Sequence, residues 1–391
     1  MLNRKSINLR NLVEHHGADH VQGLLLEAMD KGEIKLNDIS VLELAYGFLG
    51  QQGLTEMAMR QAPKGGSQLL ESAGVDSTAF INITGQIIYN KVMEAYNAPG
   101  FIGDTLFTTM QSQFLDGEKI AGITAVQGDG DEDIREGMPY PEATFGEDYV
   151  ESPATKKKGM ILSLTRETVL KDRTGVLMQR AGEIGTRIRV QKEKKQLRVA
   201  MGIDNNYKWK GTTYNTFLTS GGWINDASSQ ELLDWTSIEN VFVQLSENAN
   251  PDQPDSTEPI NVQMTHLFVM PYKYHTALRI TNATEVRAVS NTNNTTLSRS
   301  PIMPLEVVTS ALALQVLIAS GVSSSNAKNY WFAGDPKKAL MYTEIWPVTV
   351  TQAPANLESE LERDIIARYK ASERGVPWVY NPRYIARRYV A

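Results

Sequence analysis

The sequence predicts a mixed α+β fold whose strands lie far apart along the chain. Three observations carry that expectation. Apolar residues recur at helical spacing over 8–32, 80–96 and 174–201; strand-like runs stand at 159–165, 262–271, 341–351 and 365–371; and no internal repeat links them.

Taken in order, residues 8–32 interleave Leu12, Val21, Leu24, Leu25 and Met29 with charge, and Gly32 supplies a stop. A second short helix fits 38–49, where Asn37 or Asp38 can cap ISVLELAYGFL. From Gln51 to Ser77 the chain turns small and polar, including PKGG at Pro63–Gly66, as a linker after a helical N-terminal arm does. The main body opens at Phe80–Tyr96, with Ile83, Ile87, Ile88 and Val92 near helical spacing.

Between Asp129 and Glu151 stand nine carboxylates against one base, Arg135. Pro139, Pro141, Gly146 and Pro153 forbid a helix there, and Gly159–Thr165 reads as a strand, so an extended two-stranded excursion is expected. The helix over 174–201 follows, with Thr174 as N-cap, an apolar stripe of Leu177, Ala181, Ile184 and Ile188, and Gly202 at its end. Nine bases face three acids from Lys171 to Arg198, which makes it a strongly basic helix in an acidic protein.

Beyond it lie an aromatic-rich loop (NNYKWKGTTYNTF), a helix at 228–247, a Pro/Asp loop at 249–259, a buried strand at Val262–Pro271 and a polar loop at 289–300. Met341–Thr351 and Ile365–Ala371 read as strands. In the latter Ile365, Ala367, Tyr369 and Ala371 alternate with Ile366, Arg368 and Lys370, as one buried and one wet face require.

With 391 residues the chain is long enough for two or three compact units. It contains no cysteine, which removes disulfides, cysteine nucleophiles, iron-sulfur clusters and thiolate zinc sites together. A net charge of -6 argues against a dedicated reader of duplex DNA, since such proteins set Lys and Arg against phosphates. The opening MLNRKSINLRNLVEHH lacks the apolar stretch of a signal peptide and no window reaches a membrane span, so folding in a cytoplasm is expected.

The search for chemistry yields little. His15, His16 and His20 invite a metal test, with His16 and His20 at i,i+4, but Gly17 weakens the helix and a surface role is the plainer expectation. Asp129, Asp131 and Asp133 open like a calcium loop, which then fails at Ile134 and Tyr140. No phosphate loop, dinucleotide fingerprint, nucleophile elbow or HExxH is present; TSGGW at Thr219–Trp223 reads as a turn, and His266 and His275 as packing residues. No catalytic residue, cofactor or metal is therefore expected. The rival of another class is a cytosolic metal-dependent enzyme using the three N-terminal histidines.

Opposed charge on two neighbouring elongated elements is what contact between subunits uses. The order of features then becomes familiar. The excursion EGMPYPEATFGEDYVESPATKKKGMILSLTRE (Glu136–Glu167), followed by VLKDRTGVL and a long helix ending in KEKKQLRVAMG, resembles the extended loop and spine helix of tailed-bacteriophage major capsid proteins with the Hong Kong 97 fold. DWTSIENVFVQL (Asp234–Leu245) and PINVQMTHLFVMPYKYHTALRI (Pro259–Ile280) resemble that family's axial-domain units. YWFAGDPKKALMYTEIWPVTV and ERDIIARYKASERGVPWVYNPRYIAR resemble its closing strands.

The resemblance covers about residues 75–391 and implies an α+β, Hong Kong 97-like capsid fold: an N-terminal arm and linker at 1–74, the start of a peripheral domain at 75–129, an extended β-hairpin loop at 130–168, the spine helix with peripheral domain at 169–215, an axial domain at 216–334, and closing strands with a tail at 335–391. It implies a head protein that self-assembles as hexamers and pentamers into an icosahedral shell around double-stranded DNA, with portal and scaffold proteins as partners, no membrane, and assembly in the host cytoplasm. A bacterial nanocompartment shell around a cargo enzyme is the alternative within the same fold.

Glu147, Asp148, Glu151, Lys156, Lys157 and Lys158 are the expected intersubunit contacts. Arg187, Lys192, Lys194, Lys195, Arg387 and Arg388, on the basic helix and the basic tail, are expected to face the packaged DNA through non-specific contacts. Some relatives cross-link a loop lysine to a peripheral asparagine; Asn381 invites the comparison, but no acid follows it, and non-covalent assembly is expected.

Overall fold

The computed structural model describes residues 4–31, 42–49, 69–122, 126–127, 136–138, 140, 144–145, 148–165, 167, 176–247, 262–283, 285–289, 295–299, 304–353 and 365–390. They form two compact units. The first comprises Met1–Pro99, Lys157–Val190 and Pro347–Glu373, and the second Gly100–Lys156, Gln191–Trp346 and Arg374–Ala391.

In the first unit the expected helix at 8–32 is two helices, Arg4–His16 and Ala18–Asp30, because Gly17 takes a φ of +81° that ends the first. Residues 42–49 are helical, as the capped run suggested, and the helix expected at 80–96 begins earlier, at Leu69. The N-terminal helices do not form a separate arm. Val13, Val21, Leu44 and Phe48 share one core with Ile83, Ile87 and Val92 and with Ala181, Ile184 and Ile188 of the helix Val176–Ala200. Two helices meet closely here because Gly185 has no side chain: a Cβ would overlap the Val92 carbonyl oxygen. The strand Lys156–Thr165 pairs with the strand Ile365–Val379 in this unit. Tyr369 and Ala371 are buried and Lys370 is exposed, as the alternation required.

The second unit is built on a five-stranded sheet ordered Glu306–Val308, His266–Val269, Trp331–Gly334, Ile385–Tyr389, Asp226–Ser228. Both its faces are covered. Leu267, Val269, Trp331 and Ala333 enter one core with Ile238, Val241 and Leu245 of the helix Trp235–Ser246, while Phe268, Met270 and Phe332 enter another with Ala313, Val316 and Leu317. A strand covered on both faces reads as an unbroken apolar run, which is why 262–271 was legible. The helix expected at 228–247 starts only at Trp235, where the Asp234 carboxylate accepts from the Thr236 amide as an N-cap.

Two expected loops are hairpins. Tyr207–Trp209 pairs with Thr212–Tyr214 across Lys210 and Gly211, at φ +47° and +81°, the left-handed pair that a tight two-residue turn demands. Glu285–Val289 pairs with Thr295–Arg299, so that the stretch 289–300 expected to be a polar loop carries the hairpin's second strand. Of the linker expected at 51–77, residues 69–77 are instead helical, and 51–68, the Asp129, Asp131 and Asp133 cluster, and the Thr174 cap lie outside the described residues.

Candidate intersubunit surface

The acidic excursion is a two-stranded ladder, but its partners differ from those the sequence suggested. Lys119–Ala121 pairs antiparallel with Tyr149–Glu151, and further out Val126–Gln127 pairs with Thr144–Phe145. The strand Lys156–Thr165 belongs to another sheet. At the far end of the hairpin, Met138 and Tyr140 stand 62% and 82% exposed.

The base of this hairpin is fixed by polar contacts. Its sheet continues through Val150 opposite Trp209 into the hairpin Tyr207–Tyr214. The Trp209 indole Nε1 donates to the Asp148 carboxylate, and the Lys208 ammonium pairs with Glu151. Gly122 is required beside Asp148, because a Cβ there would overlap the carboxylate. The Lys119 ammonium sits 4.3 Å over the Tyr149 ring, and the Tyr380 hydroxyl donates to the Ala121 carbonyl at 2.8 Å. Behind them the Arg383 guanidinium lies 4.9 Å from Trp223 and 5.8 Å from Trp209.

The expected contact residues therefore divide. Asp148 is 6% exposed and Glu151 is half-buried, so both are occupied within the chain. Lys158 is inside too, its Nζ 3.6 Å from Glu373, whose other oxygen accepts from the Tyr96 hydroxyl at 3.3 Å. Lys156 and Lys157 are exposed. Glu147 lies outside the described residues.

The expected DNA-facing set divides likewise. Arg187 and Lys194 are exposed and Lys195 is half-buried. Lys192 is buried, with its ammonium 3.4 Å from Asp104 and 4.4 Å from the Tyr342 ring centre. Arg387 grips Asp226 with two bonds, 3.0 and 2.6 Å. Arg388 is 1% exposed, bonded to Gln244 and to the Arg387 carbonyl, and burial pushes its pKa down to about 10. Lys192, Arg387 and Arg388 thus do not present charge at a surface, a correction to the expectation: their charges hold elements of the second unit together.

Sequence reasoning missed Trp209 and Arg383, and singled out Asn381 only for a cross-link. The signal for the first was the aromatic density of 205–217, taken as a loop because its two-residue turn was overlooked. Asn381 is buried, and its Oδ1 accepts from the Arg383 amide to cap a short 3-10 turn. Gly17 leaves His16 and His20 on different helices with rings 6.0 Å apart. Among the described residues no group of three or more ligand side chains converges. His266 is buried against Thr265 Oγ1 at 2.8 Å from Nδ1, and burial lowers its pKa despite Glu306 at 3.4 Å.

The described surface thus offers an elongated hairpin, exposed lysines and scattered apolar side chains (Phe114, Ile161, Leu233 and Tyr272, each above 60% exposed). A family model described as phage capsid protein matches residues 148–387, more than half of the chain. This chain belongs to the phage capsid protein family. It is a phage capsid protein, a structural component of the virion.

The capsid protein is similar in fold to chains from Gordonia phage Cozz (12% identity, 75% of this chain and 87% of that one, TM-score 0.45) and Mycobacterium phage Ogopogo (14%, 75% and 94%, 0.42). It is also similar to the chain of a virus-like particle from Pyrococcus furiosus (12%, 77% and 97%, 0.41). No curated protein matches the sequence. The capsid protein's described residues include no helix long and apolar enough to cross a membrane.

Proposed function

We propose that this capsid protein self-assembles as hexamers and pentamers into an icosahedral head that encloses double-stranded DNA, with the architecture of the Hong Kong 97 fold. The family match over 148–387 carries the reading. The hairpin from Lys119 to Glu151, followed by the 25-residue helix Val176–Ala200, supports it, since these have the order of that fold's extended loop and spine helix. The hairpin would lie across a neighbouring subunit, the axial domain at 216–334 would meet its copies around the capsomer axis, and scaffold and portal proteins would guide closure. Exposed Arg187 and Lys194, with Lys195 beside them in the chain, are the remaining candidates for weak, sequence-independent contact with packaged DNA.

Size-exclusion chromatography and negative-stain microscopy test the assembly. A chain that stays monomeric under all conditions, scaffold and portal included, overturns it. Nuclease-treated particles that retain long DNA separate a phage head from a compartment holding a cargo enzyme. Assembly is non-covalent in this reading, so particles boiled in SDS should give one monomer band, and a ladder above it contradicts this.

A further inference from the structure

Behind the hairpin base, in the second unit, lies a small cavity with both polar and apolar walls. Gly122, Asp148, Val150, Tyr207, Trp209, Tyr380, Asn381 and Arg383 line it. Two of these residues carry donor atoms without a hydrogen-bond partner of good geometry, although the Arg383 side chain also acts on the Tyr207 hydroxyl in the same wall. Arg383 is 2% exposed and its Nε and Nη2 have no hydrogen-bond partner; Asn381 is 1% exposed and its Nδ2 has none. An unmade bond from a buried charged donor is expensive, which makes two such residues around one small space a strong indication that something fills it.

The chemistry of the walls narrows the guest. The cavity measures about 10 Å³, the room that one water needs. Asp148 stands in the same wall set as Arg383, so the guanidinium already has an opposite charge nearby, and a bare anion would face that carboxylate. A small cation would face Arg383 and the amide donors. What remains is a neutral molecule that accepts from Arg383 and Asn381 and donates to Asp148. The aromatic walls support a dry surround: Trp209 and Trp223 flank the guanidinium, and burial pushes the Tyr207 and Tyr380 hydroxyls above their ordinary pKa.

We propose that a single ordered water sits among Arg383, Asn381 and Asp148 and completes a water-mediated ion pair that ties the hairpin base to the C-terminal segment. Asp148 immediately precedes the returning strand Tyr149–Glu151 of the hairpin base, and Asn381 and Arg383 belong to the turn before the last strand. The link therefore fixes the direction in which the hairpin leaves its sheet. It does not depend on where the hairpin goes beyond Gly122, and so stands apart from the assembly reading.

A density map of the full chain at a resolution that shows waters provides the first test, collected once in chloride and once in bromide. The expected result is one peak within hydrogen-bond reach of Arg383, Asn381 and Asp148, the same in both salts. A bromide signal at that place makes the guest an anion and overturns the proposal, as does an empty cavity closed by direct Arg383 to Asp148 contact. Amide hydrogen exchange provides the second. Arg383→Met and Asp148→Asn should each speed exchange in 119–121 and 149–151 by about tenfold, with the double variant no faster than either single one. Additive effects, or exchange unchanged in those strands, overturn it. Should a variant fail to fold, the maps of the unaltered chain decide.

Discussion

Asp148 and Glu151 at the hairpin base, and Lys156 and Lys157 a few residues on, belong to one charged stretch, yet their surroundings differ. The first pair is held by Trp209 and Lys208, with Asp148 buried; the second pair is exposed, without a salt bridge or side-chain hydrogen bond among the described residues. Lys158, the next residue, is inside again against Glu373. Alternation along the strand Lys156–Thr165 separates Lys157 from Lys158, because successive side chains point to opposite faces and Lys158 shares a face with Met160, Leu162 and Leu164, whereas Lys156, on that same face, is exposed at the first residue of the strand. Charge density in a sequence therefore does not measure charge available to a partner. Inward charges stabilise the fold, and outward ones remain for contact.

The largest expected effect breaks the inward side. Glu373→Ala removes the carboxylate beside the buried Lys158 ammonium and should cost about 3–5 kcal/mol in urea unfolding; adding Lys158→Met should recover much of that loss. Gly122→Ala forces a Cβ against the Asp148 carboxylate and should cost about 1–3 kcal/mol, read as a lower denaturation midpoint at unchanged slope. Trp209→Phe keeps an aromatic ring, though a smaller one, and deletes the donor to Asp148, for about 1–2 kcal/mol by the same measurement. The outward side should respond in the opposite manner. Lys156→Glu with Lys157→Glu should change stability by less than about 0.5 kcal/mol while lowering particle yield in the assembly assay; normal yield would leave these lysines as solvated charge only.

A pH series sharpens the contrast further. His266 has its pKa lowered by burial from the ordinary 6.5, so the folded state binds fewer protons than the unfolded one. Stability should be fully present above about pH 6.5 and decline as pH falls from there toward the folded value. His266→Gln should flatten that decline, as followed by thermal unfolding between pH 7 and pH 5.

Much of the architecture was legible because it is locally periodic. The helix Val176–Ala200, the strand His266–Val269 and the alternation after Ile365 each write their burial into adjacent residues. The hairpin at 207–214 and the second strand of the hairpin at 285–299 read as loops in the sequence, since short strands carry too few residues for a period and only the Lys210–Gly211 turn marked the first. The candidate site was legible only in outline. Charge in the excursion and the order of elements pointed to a shell protein, but Asp148 meets Trp209 and Lys158 meets Glu373 across long stretches of chain, and no local pattern signals such pairs.

The sequence by itself determined the class of fold, the long basic helix, the acidic Pro-interrupted excursion, the absence of sulfur chemistry and the resemblance that the family match bears out. Tertiary structure alone decided which strands pair and which charges are occupied. Helix and strand periods come from neighbours a few residues apart, whereas whether a carboxylate or a guanidinium reaches solvent depends on which distant side chain the fold sets against it.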